Sequence, residues 1–133
     1  MAYASAYSGT ASSASYLQAS VETASPARLL VMLYDRLALD CQRAIGAQES
    51  GDHAEAHEQL LHAQAIVAEL QSSLRPEVWE GGPALNSLYA HLMVQLVKAN
   101  VERDVERTRH CLGLVEGLGD AWRRAALDTA RSA

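Results

Sequence analysis

The residues of this chain best suited to chemistry are the histidines of "DHAEAHEQLLH", residues 52–62. His53 and His57 stand four apart, which on a helix places them on one face, where two imidazoles could share a metal ion. A zinc-hydrolase helix needs H-E-x-x-H, so that two imidazoles and a general base converge. Here His57-Glu58 is followed by His62, one residue too late. His57 and His62 would therefore lie about 140° apart around the helix. A di-iron bundle needs E-x-x-H motifs on its helices, and the chain contains none. These histidines are expected to be solvated helix residues, with no bound metal and no other cofactor. "EGG" (80–82) lacks the G-x-x-x-x-G-K-[ST] pattern that cradles phosphate. "GLVEG" (113–117) has the G-x-x-x-G spacing of membrane helix pairs but sits in no apolar span. No serine has an identifiable base partner. An enzyme is not expected.

The elements that would position any site must be helices. The chain has 133 residues, the size of one domain, and 49% of them are hydrophobic, enough for a core. Leu and Ala dominate and Phe is absent, which favours helix over strand. The net charge is −5, and the basic residues are scattered apart from Arg123, Arg124 and Arg131. A nucleic-acid binder would carry a basic stripe, and none is visible. Cys41 and Cys111 form no CxxC pattern, and each falls on the apolar side of a predicted helix. They read as small buried hydrophobes in a reducing compartment. The N-terminal stretch has no Lys or Arg and no apolar core, so it does not read as a signal peptide. No apolar run reaches the roughly 18 residues of a membrane span. The expectation is a soluble, cytoplasmic protein.

Residues 1–20 are Ala, Ser, Gly and Thr with Tyr3, Tyr7 and Tyr16, too little apolar surface to offset ordering entropy. They predict a flexible N-terminal tail with sparse aromatic anchors. In "TASP", Ser25 can cap a helix whose first position is Pro26, where a missing N–H costs nothing. This first helix should run to about Gln48, with "ESGD" as the turn. A second helix opens at Asp52, with Glu55 three residues on. Its stripe is Leu60, Ala63, Val67, Leu70 and Leu74. "RPEVWEGGP" (75–83) must be a connection. A third helix spans about Ala84 to Asn100, and a fourth about Asp104 to Leu127, with the stripe Cys111, Leu114, Val115, Leu118 and Trp122. Gly113, Gly117 and Gly119 weaken the fourth by roughly 1 kcal/mol each relative to Ala and mark where it would bend or break. The economical answer is an all-α antiparallel four-helix bundle. The expected division is an N-terminal tail at 1–20, the bundle at 21–127 and a C-terminal tail at 128–133.

Two helices carry more apolar surface than one bundle face needs. On the first, Leu30, Leu33, Tyr34, Leu37, Cys41, Ala44 and Ile45 suffice, yet Met32 and Leu39 lie on another side near Asp35, Arg36 and Arg43. On the third, Leu85, Leu88, Tyr89, Leu92, Met93 and Leu96 form the main face. Val94 and Val101 lie around the back, and Val97 widens the front. Three readings stay open: ordinary scattered surface apolars, a helix buried on several sides, or a groove for another helix or chain.

The linear order of these segments resembles the flagellar secretion chaperone FliS family. The carriers are Tyr16, "VETASP" (21–26), "LLVMLYD" (29–35), "LLHAQAIVAEL" (60–70), "EGG", "LNSLYAHLMVQLVKAN" (85–100), "ERD" (102–104) and "DAW" (120–122), in register from 16 to about 126. The chain departs from the family at Ala27 and Arg28, where an acidic residue is common after the proline, and in its Ala- and His-rich second helix and Gly-interrupted fourth. The resemblance implies a cytoplasmic helical bundle that binds the disordered C-terminal segment of flagellin, blocks premature polymerisation and assists delivery to the flagellar export gate, without ATP or catalysis. It implies flagellin and export-gate components as partners, with other flagellar regulators as further candidates, and a monomer or weak homodimer. The candidates for the flagellin groove or its cover, chosen from the apolar surplus and the segment before the first helix, are Tyr16, Val21, Leu29, Met32, Leu39, Val94, Val97 and Val101. Methionines such as Met32 and Met93 suit a surface that repacks. Tyr16, Leu17 and Val21 either cover the empty groove or anchor the tail to the bundle. The alternative is a self-associating helical bundle without flagellin affinity.

Overall fold

The computed structural model describes the backbone of residues 25–132 and the side chains of residues 25–128. Four helices follow in order: α1, Pro26–Ser50; α2, His53–Ser73; α3, Gly82–Val101; and α4, Val105–Ser132. One 3-10 turn, Pro76–Val78, lies between α2 and α3. No strand occurs among the described residues. The expected all-α bundle forms. The segment 1–20, with Tyr16 and Leu17, and Val21 lie outside the described residues. The fourth helix passes its expected end at Leu127 and continues to Ser132.

The helix ends follow from local chemistry. Ser25 is extended, at φ −68° and ψ 159°, and its Oγ accepts the Arg28 N–H at 3.1 Å, with Pro26 opening the helix. At the other end Gly51 adopts the left-handed conformation, φ 78°, and the Asp52 N–H donates to the Ala47 carbonyl at 2.8 Å. That satisfies carbonyls the helix would leave orphaned. Asp52 then caps α2 by accepting the Glu55 N–H at 3.1 Å. The α3–α4 turn repeats the device: Arg103 is left-handed at φ 52°, Asp104 N–H donates to the Ala99 carbonyl at 3.0 Å, and Asp104 Oδ1 accepts the Arg107 N–H at 3.2 Å. Gly82, which opens α3, allows the chain to pass over the 3-10 turn. A Cβ there would lie 2.4 Å from the Pro76 carbonyl oxygen, and only glycine fits.

Short turns reverse the chain, and cross-helix pairs confirm antiparallel neighbours. Asp35 and Glu49 of α1 meet Arg123 and Arg109 of α4. Gln95 and His91 of α3 meet Arg107 and His110 of α4. The helices α1 and α3 each pack against both α2 and α4, so α1 and α3 are diagonal partners. The core holds Leu30, Tyr34, Leu37 and Cys41 of α1, Leu60, Val67 and Leu70 of α2, Leu92 and Leu96 of α3, and Cys111, Val115 and Trp122 of α4. At its centre the Tyr34 and Tyr89 hydroxyls hydrogen-bond each other, and Trp122 hydrogen-bonds Tyr34. Two buried hydroxyls thereby find partners without water.

The expected weak point in the fourth helix does not break it; α4 is continuous. Gly113 and Gly117 face outward with nothing within 4 Å of where a Cβ would stand, whereas Gly119 is buried, 3.5 Å from the Tyr34 Cβ. Packing against α1 at Gly119 and the buried stripe around it hold the helix through its poor formers. Gly113→Ala and Gly117→Ala should each raise stability by about 0.5–1 kcal/mol, since both sites are helical and open. Urea denaturation of each variant measures this, and a loss of stability would show a packing role the outward geometry excludes.

Candidate functional site

Among the described residues, three of the six exposed large hydrophobic side chains lie on α3, the others being Leu61, Val78 and Leu127. Val94, Val97 and Val101 are 48, 40 and 76% exposed. With exposed Ser87 and Ala90 they recur at intervals of three and four, a seam along the helix opposite Leu85, Tyr89, Leu92, Leu96 and Ala99, which fill the core. Val97 thus belongs to this outer seam and does not widen the core face. The helix is thus apolar on two sides, one sealing the bundle and the other exposed to solvent. It carries no acidic residue, and Lys98 and His91 flank the seam. Met93, by contrast, packs against the core.

The α1 candidates lie elsewhere. Leu29, Met32 and Leu39 are half-buried. Leu39 lines a cleft of about 450 Å³ between α1 and α4, with Tyr34, Ala38, Val115, Gly119 and Gln42. The cleft exists because Ala38 and Gly119 are small where the two helices face one another. Its rim is charged: Arg123 pairs with Asp35 at 2.6 Å and with Asp120 at 3.7 Å. Because α1 and α3 are diagonal, this cleft and the valine seam open on different sides of the bundle. The structure does not bring the α1 and α3 candidates into one groove. Tyr16 and Val21 lie outside the described residues.

A third surface was not foreseen. Trp79, from the connection, tilts against Trp122 at a centroid distance of 5.8 Å. With Leu85, Leu118, Ala121 and Ala125 they line an apolar cleft of about 260 Å³ beside the start of α3. The available signal was a tryptophan inside a Pro- and Gly-rich connection, where an apolar ring needs a reason to be.

The histidines divide. His53 and His57 are exposed, as expected, and the Asn100 amide reaches His57 Nδ1 at 2.9 Å. His62 is a correction: its Nδ1 hydrogen-bonds Asp40, a fully buried carboxylate that Arg36 also holds at 3.1 Å. A charge inside a bundle persists when it is paired, and these partners reach in from the rim. Thr108 is the other buried polar residue among the described residues, donating to Gln48 Oε1 at 2.8 Å while Gln48 donates to the Ala99 carbonyl at 3.2 Å. That network ties α1 to the α3–α4 turn. No group of three or more His, Cys, Asp and Glu side chains gathers as a metal cage among the described residues. No described helix is long and apolar enough to cross a membrane.

The bundle thus exposes apolar side chains on α3 and holds clefts at Leu39 and at Trp79. Residues 8–129 match the model of a family described as flagellar protein FliS. The flagellar secretion chaperone FliS of Bacillus subtilis strain 168 is 33% identical over 110 residues, spanning 83% of this chain and 82% of that protein. The flagellar secretion chaperone FliS of Salmonella typhimurium strain LT2 is 32% identical over 117 residues, spanning 82% of this chain and 85% of its own length. With a match across nearly the whole bundle and two relatives about one-third identical over most of their length, this chain belongs to the FliS family.

Proposed function

We propose that this protein binds the C-terminal segment of flagellin in the cytoplasm, prevents its premature polymerisation and helps deliver it to the flagellar export apparatus. As a member of a family of export chaperones it works by binding and is not an enzyme. The observation that carries the reading is the seam of Val94, Val97 and Val101, exposed on a helix whose opposite side already fills the core. A disordered client must offset its ordering entropy with apolar contact, and an amphipathic client helix laid on such a seam supplies it. The separate α1 side, with Leu29, Met32 and Leu39, gives a long client a second contact, so the client wraps the bundle. Tyr16 and Val21 belong to the chain entering α1, and we assign them to the same α1 surface as cover or anchor.

Calorimetric titration with the flagellin C-terminal segment tests this. Submicromolar one-to-one binding with a large negative heat-capacity change is expected for folding coupled to apolar burial. No binding at tens of micromolar from folded protein would transfer the apolar seam to self-association, which sedimentation would then show as a concentration-dependent oligomer.

A further inference from the structure

His91 of α3 and His110 of α4 face one another on the outside of the bundle, away from the core and from the His53–His57 end. Their Nε2 atoms are 3.4 Å apart, and their rings stand at 88° with centroids separated by 5.7 Å. Both residues are exposed and both sit within long helices, so their backbones are fixed while their rings can turn. The register between the helices is pinned one turn away, where Arg107 donates to Gln95 Oε1 at 2.7 Å. Two imidazole nitrogens bound tetrahedrally to one zinc ion, each at about 2.0–2.1 Å, lie about 3.4 Å apart. The pair therefore already holds the required spacing, and a modest rotation of each exposed ring brings both Nε2 atoms onto a shared ion.

We propose that His91 and His110 form a two-imidazole site for a divalent transition-metal ion of the zinc type, which clamps α3 to α4 with water in the remaining positions. Each ring binds through Nε2 in the tautomer that carries its hydrogen on Nδ1, reached by proton exchange with solvent. Any proton on an imidazolium leaves to solvent on binding, so affinity falls in acid. The other exposed histidines make a poorer site. Asn100 already engages His57, and Arg103 shares the cleft with His53 and His57, adding a positive charge.

The test is titration of chelator-treated full-length protein with zinc chloride at about pH 7.5, with calorimetry and thermal melting read in parallel. One ion per chain with a micromolar to tens-of-micromolar Kd and a raised Tm is expected. His91→Gln and His110→Gln should each weaken binding at least tenfold and remove the rise in Tm, and His53→Gln should leave both unchanged. Absence of heat and of a Tm shift up to millimolar zinc overturns the site, as does undiminished one-to-one binding in the His91→Gln, His110→Gln double variant. Neither readout involves flagellin, so its failure and that of the chaperone reading are independent.

Discussion

Replacing Val94 and Val97 together with aspartate is expected to weaken binding of the flagellin C-terminal segment at least about a hundredfold while leaving the bundle folded. A hundredfold is about 2.8 kcal/mol at room temperature. Each valine is nearly half exposed, so the free protein keeps most of its packing when either is changed. Valine and aspartate have similar helix propensities, so α3 itself has little reason to unwind. The complex meets a different situation. Covering both valines removes apolar surface worth about 1–2 kcal/mol each at full burial, and a carboxylate in their place must be desolvated without a partner. Only Lys98 and His91 flank the seam on α3, and a client that covers it leaves both side chains at the rim, where neither pairs with a buried carboxylate. The control is Met32→Asp with Leu39→Asp on the other side of the bundle. Loss from both pairs places one client across two sides, and loss from the valine pair alone confines it to α3. If calorimetry gives the Val94→Asp, Val97→Asp variant the affinity of the parent, the seam is not the client surface.

How far the sequence carries depends on whether a feature is local. Ser25, Pro26, Gly51 and Asp52 state their roles in the few residues around them, and the helix ends fall within a turn of where those residues predict. The solvent side of α3 is legible too, because Val94 and Val101 sit at helical angles far from Leu85, Leu92 and Leu96. What periodicity cannot state is which helices are diagonal. Met32 and Val94 look like parts of one surplus along the chain, yet the order of packing sets α1 and α3 at opposite corners. Val97 sits on the wheel midway between Met93, which packs on the core, and Val101 of the seam, and only its 40% exposure puts it with the seam. Buried Asp40 is illegible for a similar reason: its burial makes sense only once His62 arrives from another helix. The family resemblance suggests the client, and the residues proposed to touch it are read from the bundle's geometry.

Raising the pH above about 9 should destabilise the bundle steeply, through groups that no ordinary pH would reveal. Burial pushes the Cys41 thiol from its usual 9.0 up to about 12, with the negative charge of Cys111, Asp40 and Glu116 adding to it. Burial likewise pushes Cys111 from 9.0 to about 11, against the pull of the Arg107 guanidinium. Burial raises Tyr34 from 10.0 to about 12, although its hydrogen bonds to Tyr89 and Trp122 favour the anion. In each case the folded chain holds its proton more tightly than the unfolded one. Stability is therefore full below the unfolded value and falls as pH rises from there toward the folded one, by about 1.4 kcal/mol per pH unit per group. The two thiols begin to weaken the fold near pH 9 and Tyr34 near pH 10. By pH 10.5 the three together remove roughly 5 kcal/mol, a large part of the 5–15 kcal/mol that holds a typical domain. Urea denaturation under reducing conditions at pH 8, 9, 10 and 10.5 measures the slope. A Cys41→Ala, Cys111→Ala variant separates the groups: it starts less stable because two buried sulfurs are gone, but its curve should stay flat between pH 9 and 10 and fall only above 10, where Tyr34 acts. A parent curve flat to pH 10.5 would mean that these side chains reach water in the folded state. An unchanged slope in the double variant would move the effect to groups other than the thiols.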